Sequence, residues 1–190
     1  MHEKFVANQF IYQGRAVGFR CDHVALPNGK RAVREYLTHP GAASIIPFLD
    51  SPREKPLEQC RIVMVTQYRY PIRMRTDELP AGKIDPNESV EKCLVRELKE
   101  ETGYTASKYH HLISFAPTQA FSDEIIHIYW TDRLKKGKSS PDEDEFLSVK
   151  IETFGQVLAK IRSGKIKDSK TIIGLTAFAV FFKAPARKIR

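Results

Sequence analysis

A chain of 190 residues, 42% hydrophobic and 28% charged, suits one soluble globular domain with at most a short appended element, and excludes general disorder. Lys and Arg number 31 against 23 Asp and Glu, a formal charge of +8 that suits nucleic acid, an anionic membrane surface or a small phosphorylated substrate; the basic residues form no continuous block, which argues against a basic tail. Cys21, Cys60 and Cys93 are too few for a disulfide framework and lack zinc-ligand spacing, so they read as free thiols in a reducing compartment. The opening MHEKFVANQF has no basic segment followed by an apolar run, and the longest apolar stretch, 171–182, is too short to cross a bilayer; a cytoplasmic protein with no membrane contact is expected.

In chain order, 5–11, 16–26 and 31–37 are rich in aromatic and β-branched residues and read as strands. Asn28-Gly29 supplies the hairpin turn between the second and third. Residues 44–49 suit a short buried strand, and 61–69 a strand covered on both faces. Residues 89–102 place Val90, Cys93, Leu94 and Leu98 on one helical face, with Gly103 where a C-terminal glycine would end the helix. Two N-caps compete, Ser89 and an Asp85–Pro86–Glu88 arrangement shaped like a capping box. Residues 125–134 alternate as a strand, 139–145 form an acidic loop, and 154–161 and 168–183 read as helices. Strands on both sides of a central helix, with a helix at the end, predict an α/β fold with a mixed sheet between helices.

The chemistry concentrates in GKIDPNESVEKCLVRELKEETGY, residues 82–104. Glu97, Glu100 and Glu101 fall at i, i+3 and i+4, on one helical face. Glu97 follows Val90 by seven residues and Glu101 follows Leu94 by seven, so both glutamates share the apolar stripe. Their mutual repulsion needs an offset. Arg96, four residues before Glu100, supplies part, and a hard divalent cation such as Mg²⁺ would supply the rest through oxygen ligation. A merely solvated acidic face is the bland alternative; the glycine at a fixed distance argues against it.

The segment resembles the Nudix signature at every fixed position and gap: Gly82, Glu88, Arg96, Glu97, Leu98, Glu100, Glu101, Gly103 and, as the final apolar residue, Tyr104. The resemblance implies a Nudix-type α/β/α sandwich with a mixed sheet and Mg²⁺- or Mn²⁺-dependent hydrolysis of a nucleoside diphosphate linked to another group. It implies Glu97 and Glu101 as principal metal ligands, Glu100 as a further ligand or relay, and the Ala81 carbonyl completing the metal shell. Arg96 would orient the carboxylates, Glu88 would brace the loop, and Gly82 would let backbone approach the metal.

Around the box, QYRYP (67–71), ELPAGKID (78–85), Pro117 lying 14 residues after Gly103, FSDE (121–124) and SGKIKDSKTIIGL (163–175) together resemble the ADP-ribose and nucleoside diphosphate sugar pyrophosphatase branch. That resemblance implies a substrate such as ADP-ribose or GDP-mannose, cleaved to a nucleoside monophosphate and a sugar phosphate. Arg69 would contact the diphosphate, with Arg34 and His39 as further phosphate contacts and Glu124 in a substrate-facing loop. A catalytic glutamate from the acidic loop is implied as well; Glu143 and Glu145 both fit, with Glu145 preferred. The N-terminal β element, 1–40, would serve dimerisation beside a Nudix domain, 41–190, giving a homodimer. Capped RNA or an oxidised nucleotide are alternative substrates. A non-catalytic nucleic-acid-binding module would predict a damaged box, and this box is intact. The adjacent His110 and His111 point to opposite faces of a strand, and His23, His39 and His127 lack metal spacing. Trp130 reads as packing, and Tyr36, Phe121 and Tyr104 as candidate base-stacking residues.

Overall fold

A computed structural model describes residues 2–14, 17–139 and 146–182. The chain packs as two units, Met1–Gly41 with Ala116–Ile125, and Ala42–Phe115 with Ile126–Arg190.

The first unit carries an antiparallel sheet of β1 (Lys4–Gln13), β2 (Gly18–Ala25) and β3 (Arg31–Thr38) in that order. Gly29 takes φ +81° in the β2–β3 turn, the conformation that a tight hairpin requires. Every described residue of β1 is exposed, including Phe5, Phe10, Ile11 and Tyr12. Val24 is the sole buried hydrophobic residue among those described in this unit. Residues 116–125 join it through Leu37, whose N–H donates to the Phe121 carbonyl at 2.9 Å.

The second unit is built on strands whose alternate residues face two cores. β4 (Ala42–Pro47) and β10 (Ile126–Thr131) pair in parallel at the centre of a mixed sheet of order β7–β4–β10–β9, with β7 at Ala81–Lys83 and β9 at His110–Phe115. β5 (Arg61–Arg69) lies between β6 (Met74–Glu78) and β12 (Leu147–Thr153), and β8 (Tyr104–Ala106) pairs with β11 (Leu134–Lys136). Ile46, Phe48, Ile62, Met64, Ile128 and Trp130 face α2 (Phe154–Arg162) and α3 (Ser169–Phe181). Ala43, Ile45, Val63 and Tyr129 face α1 (Val90–Thr102). Among the described residues three helices thus cover the sheets in an α/β/α arrangement. Phe48, with ring centroids 4.9 Å from Phe178 and 5.9 Å from Phe154, anchors the larger core, and each such buried side chain contributes about 1.5–3 kcal/mol.

The structure decides several local expectations. Ser89, not Asp85, caps α1: its side chain accepts from the Lys92 N–H, while Asp85 and Glu88 form a separate turn before the helix. The strand expected over 125–134 ends at Thr131, where the Thr131 side chain turns inward to the Lys108 carbonyl and also accepts from the Arg133 N–H. Tyr104 is buried against the smaller core and presents no stacking face. Trp130 is buried in the larger one. Among the described residues no helix is long and apolar enough to cross a membrane.

Candidate active site

The glycine-flanked acidic segment folds onto the sheet. α1 begins at the Ser89 cap and ends at Gly103, which takes φ +75° and donates to the Lys99 carbonyl at 2.8 Å. Its buried face is Cys93, Leu94, Glu97, Leu98, Glu101 and Thr102. Two carboxylates therefore share that buried face, Glu101 only 1% exposed.

Such burial is costly unless the charge is met by donors. The Ala81 N–H donates to Glu101 Oε2 at 3.0 Å. Arg96 answers the others with all five of its N–H groups. Nε and Nη2 reach Glu88 Oε1 and Oε2, both at 2.9 Å. Nη1 reaches Glu97 Oε1 at 2.7 Å and Glu100 Oε2 at 3.1 Å, and Nη2 also reaches the Lys83 carbonyl at 3.1 Å. These bonds hold the Glu88 carboxyl down at about 2 and raise Arg96 further above its ordinary value. Glu88 in turn accepts from the Asp85 N–H at 3.1 Å, fixing the loop between β7 and α1.

Gly82 lies on the same spot. A Cβ there would fall 1.8 Å from Glu97 Oε1, so only a glycine lets β7 pass this close to the carboxylate. The Cys93 thiol packs under the Gly82 and Lys83 carbonyls, and burial followed by the nearby Glu97 and Glu88 charges pushes it up to about 12. It is a packed thiol, not a nucleophile.

A second ionic cluster adjoins the first along the chain. Arg69, at the end of β5, forms a fork with Glu78 at the end of β6, Nε to Oε1 at 2.8 Å and Nη2 to Oε2 at 2.6 Å. Burial alone would raise the Glu78 carboxyl, but the Arg69 bonds and the Lys170 charge outweigh it and hold it at about 2. Glu78 and Lys170 both lie in segments the sequence singles out, ELPAGKID and SGKIKDSKTIIGL, yet no spacing in either marks them as partners. Their contact depends on where α3 docks, which no local pattern encodes.

The remaining candidates are placed as follows. Arg34, His39 and Glu124 belong to the first unit. There Arg34 pairs with Glu3, the His39 N–H donates to Asp123 Oδ1 at 2.7 Å, and His39 Nδ1 stands 3.5 Å from Glu124 Oε1. Glu143 and Glu145 lie outside the described residues. Among the described residues no group of three or more His, Cys, Asp or Glu side chains stands in metal-ligating geometry; the Arg96 guanidinium sits among the carboxylates instead.

A NUDIX domain profile matches residues 38–172. Over 175 residues the chain is 39% identical to a methanol dehydrogenase activator of Bacillus methanolicus, covering 91% of this chain and 90% of that one. It is 36% identical over 173 residues to an ADP-ribose pyrophosphatase of Bacillus subtilis (strain 168), covering 90% and 89%. A crystal structure of an ADP compounds hydrolase superposes with a TM-score of 0.79 over 95% of this chain and 94% of the other; at 18% identity it speaks for the fold alone. An intact signature, the sandwich that carries it and a profile spanning most of the chain converge: this protein belongs to the Nudix hydrolases, enzymes that cleave phosphoric anhydrides, and its reaction is hydrolysis of a nucleotide-derived diphosphate.

Proposed function

We propose that the enzyme hydrolyses a nucleoside diphosphate sugar, with ADP-ribose the first substrate to test and GDP-mannose the second, releasing a nucleoside monophosphate and a sugar phosphate in the cytoplasm. The observation that carries this reading is the pair of buried glutamates, Glu97 and Glu101, set in the apolar stripe of α1 against the Ala81–Gly82 backbone. The 36% identity to an ADP-ribose pyrophosphatase supports the substrate class.

Mg²⁺, or Mn²⁺ in its place, fits these residues. The donors are oxygens, as a hard cation prefers, and the missing Cβ of Gly82 keeps backbone against the Glu97 carboxylate. Glu97 and Glu101 would be its principal ligands, with Glu100 and the Ala81 carbonyl completing the set. Bound there, the ion would lower the pKa of the attacking water and balance charge on the diphosphate oxygens. Arg96 keeps the carboxylates oriented through its five bonds, and Glu88 braces the loop. Arg69 holds phosphate. Glu145, or Glu143 in its place, takes the proton from water.

The enzyme works as a homodimer, its N-terminal sheet packed on a second copy. The exposed Phe5, Phe10, Ile11 and Tyr12 support this, because a sheet this apolar with one buried hydrophobic residue has little core of its own. A monomeric mass by light scattering at micromolar concentration would end that part of the proposal. The substrate reading is tested by product analysis on ADP-ribose, GDP-mannose, 8-oxo-dGTP and capped RNA. AMP and ribose 5-phosphate from ADP-ribose, lost on adding EDTA and regained with Mg²⁺, are expected; preferred cleavage of capped RNA or 8-oxo-dGTP would overturn it.

A further inference from the structure

Lys170, on the first turn of α3, has no part in the reaction outlined above, yet its side chain is only 10% exposed. A lysine is seldom buried without a specific anionic partner. Its ammonium donates to Glu78 and to Asp168 Oδ1, the latter at 2.9 Å. Glu78, itself 1% exposed, receives Lys170 from one side, Thr76 from its own strand, and Arg69 as a two-bond fork. The Arg69 side chain is 43% exposed. Its guanidinium is thus gripped along the Nε–Nη2 edge by a carboxylate enclosed in the protein, with Nη1 left outside the fork.

The strand end carrying Glu78 is pinned as well. The Leu79 N–H donates to Thr171 Oγ1 at 2.8 Å, and Asp168 holds both the N–H and the hydroxyl of Thr171, at 2.9 and 2.6 Å. Two residues beyond Leu79, the Ala81 N–H reaches Glu101. The start of α3 therefore fixes a strap whose far end meets the carboxylates of α1. A buried carboxylate whose one cation is a half-exposed arginine would follow that arginine's motion. A second, enclosed cation removes the freedom.

We infer that Lys170 is a positioning residue for the diphosphate cleavage proposed above: by anchoring Glu78 it fixes the Arg69 guanidinium in the orientation that receives a substrate phosphate. The inference rests on the assignment of Arg69 to phosphate. Pre-set orientation of a bidentate donor removes an ordering cost that substrate binding would otherwise bear.

The test is a double-mutant cycle on the full-length enzyme with ADP-ribose and saturating Mg²⁺, reading KM, kcat and Tm. Lys170→Met should raise KM about tenfold with kcat changed less than about threefold, and Lys170→Arg should restore most of the loss. In an Arg69→Ala/Glu78→Gln background, which leaves no enclosed carboxylate without a cation, Lys170→Met should raise KM by less than about twofold, because the group it positions is gone. A Lys170→Met enzyme with lowered Tm and unchanged KM, or KM effects that multiply independently, would overturn the assignment and leave Lys170 a structural ion. An unchanged KM in Arg69→Ala would instead overturn the phosphate role of Arg69, and the inference with it. Should Lys170→Met not fold, Asp168→Asn/Lys170→Gln removes the cation together with its second carboxylate, keeping the buried charge balanced. An unchanged KM in that variant equally refutes the proposal.

Discussion

The two ionic clusters of the second unit are near inversions of one another. At Arg96 one guanidinium hydrogen-bonds three carboxylates, Glu88, Glu97 and Glu100, and stands 3.7 Å from a fourth, Asp85; Glu101 shares α1 with Glu97 and Glu100. At Glu78 one enclosed carboxylate serves two cations, Arg69 and Lys170, and Asp168 evens the count. Among the described residues the first cluster gathers more carboxylates than cations, the condition under which a divalent cation would add stability. The second is balanced, and the arginine is its most exposed member, which suits an anion. A strap of four residues, Glu78 to Ala81, joins them, so the proposed metal site and the proposed phosphate contact are tied to one short piece of chain.

The largest effect should come from breaking the first cluster. Glu97→Gln or Glu101→Gln is expected nearly to abolish turnover while circular dichroism shows an intact fold, because each change keeps the side chain's size and removes one charge. Wild-type kcat at saturating Mg²⁺ in either variant would remove that residue from the ligand set. Next, outside both clusters, Glu145→Gln should lower kcat roughly 10²–10⁴-fold, the range for loss of a general base. If Glu143 is the base, the loss moves to Glu143→Gln. If neither variant nor the pair loses even tenfold, the 139–145 loop is a solvated connector.

In the second cluster, Arg69→Ala should cost roughly 1.5–3 kcal/mol of substrate binding, read as a KM increase of about 10–150-fold with kcat less affected. Glu78 remains paired with Lys170 in that variant, so folding should survive. The smallest effect is on stability against pH. Glu78 is held at about 2 in the folded chain against an ordinary 4.5. Its contribution is therefore complete above about pH 4.5 and disappears as pH falls through about 2. Over that interval Glu78→Gln should lose less stability than the wild type in acid-titrated urea melts; parallel curves would show that the carboxylate is not preferentially stabilised by folding.

Much of the first cluster is legible in sequence because it is local. The i, i+3, i+4 spacing, the seven-residue offsets from Val90 and Leu94 and the closing Gly103 all belong to one helix, where 3.6 residues per turn converts spacing into geometry. The strands on either side of Leu79-Pro80 are less legible. β6 and β7, MRTDE and AGK, carry no alternating apolar pattern and are strands because β5 and β4 pair with them. β12 does alternate Leu147, Val149 and Ile151 with polar neighbours, but an acidic run precedes it and blurs its start.

Residue order alone thus determined the chemistry of α1: its charge, its buried stripe and the glycine set before it. Tertiary structure decided what meets that helix. The 1.8 Å that a Cβ at Gly82 would leave to Glu97 and the bond from Ala81 to Glu101 arise from the pairing of β7 with β4, residues far apart in the chain. The union of Glu78 with Lys170 spans 92 positions and exists only because α3 docks on the β6 end. Helical periodicity is written in neighbours; the partner of a buried charge is chosen by the packing of the whole unit.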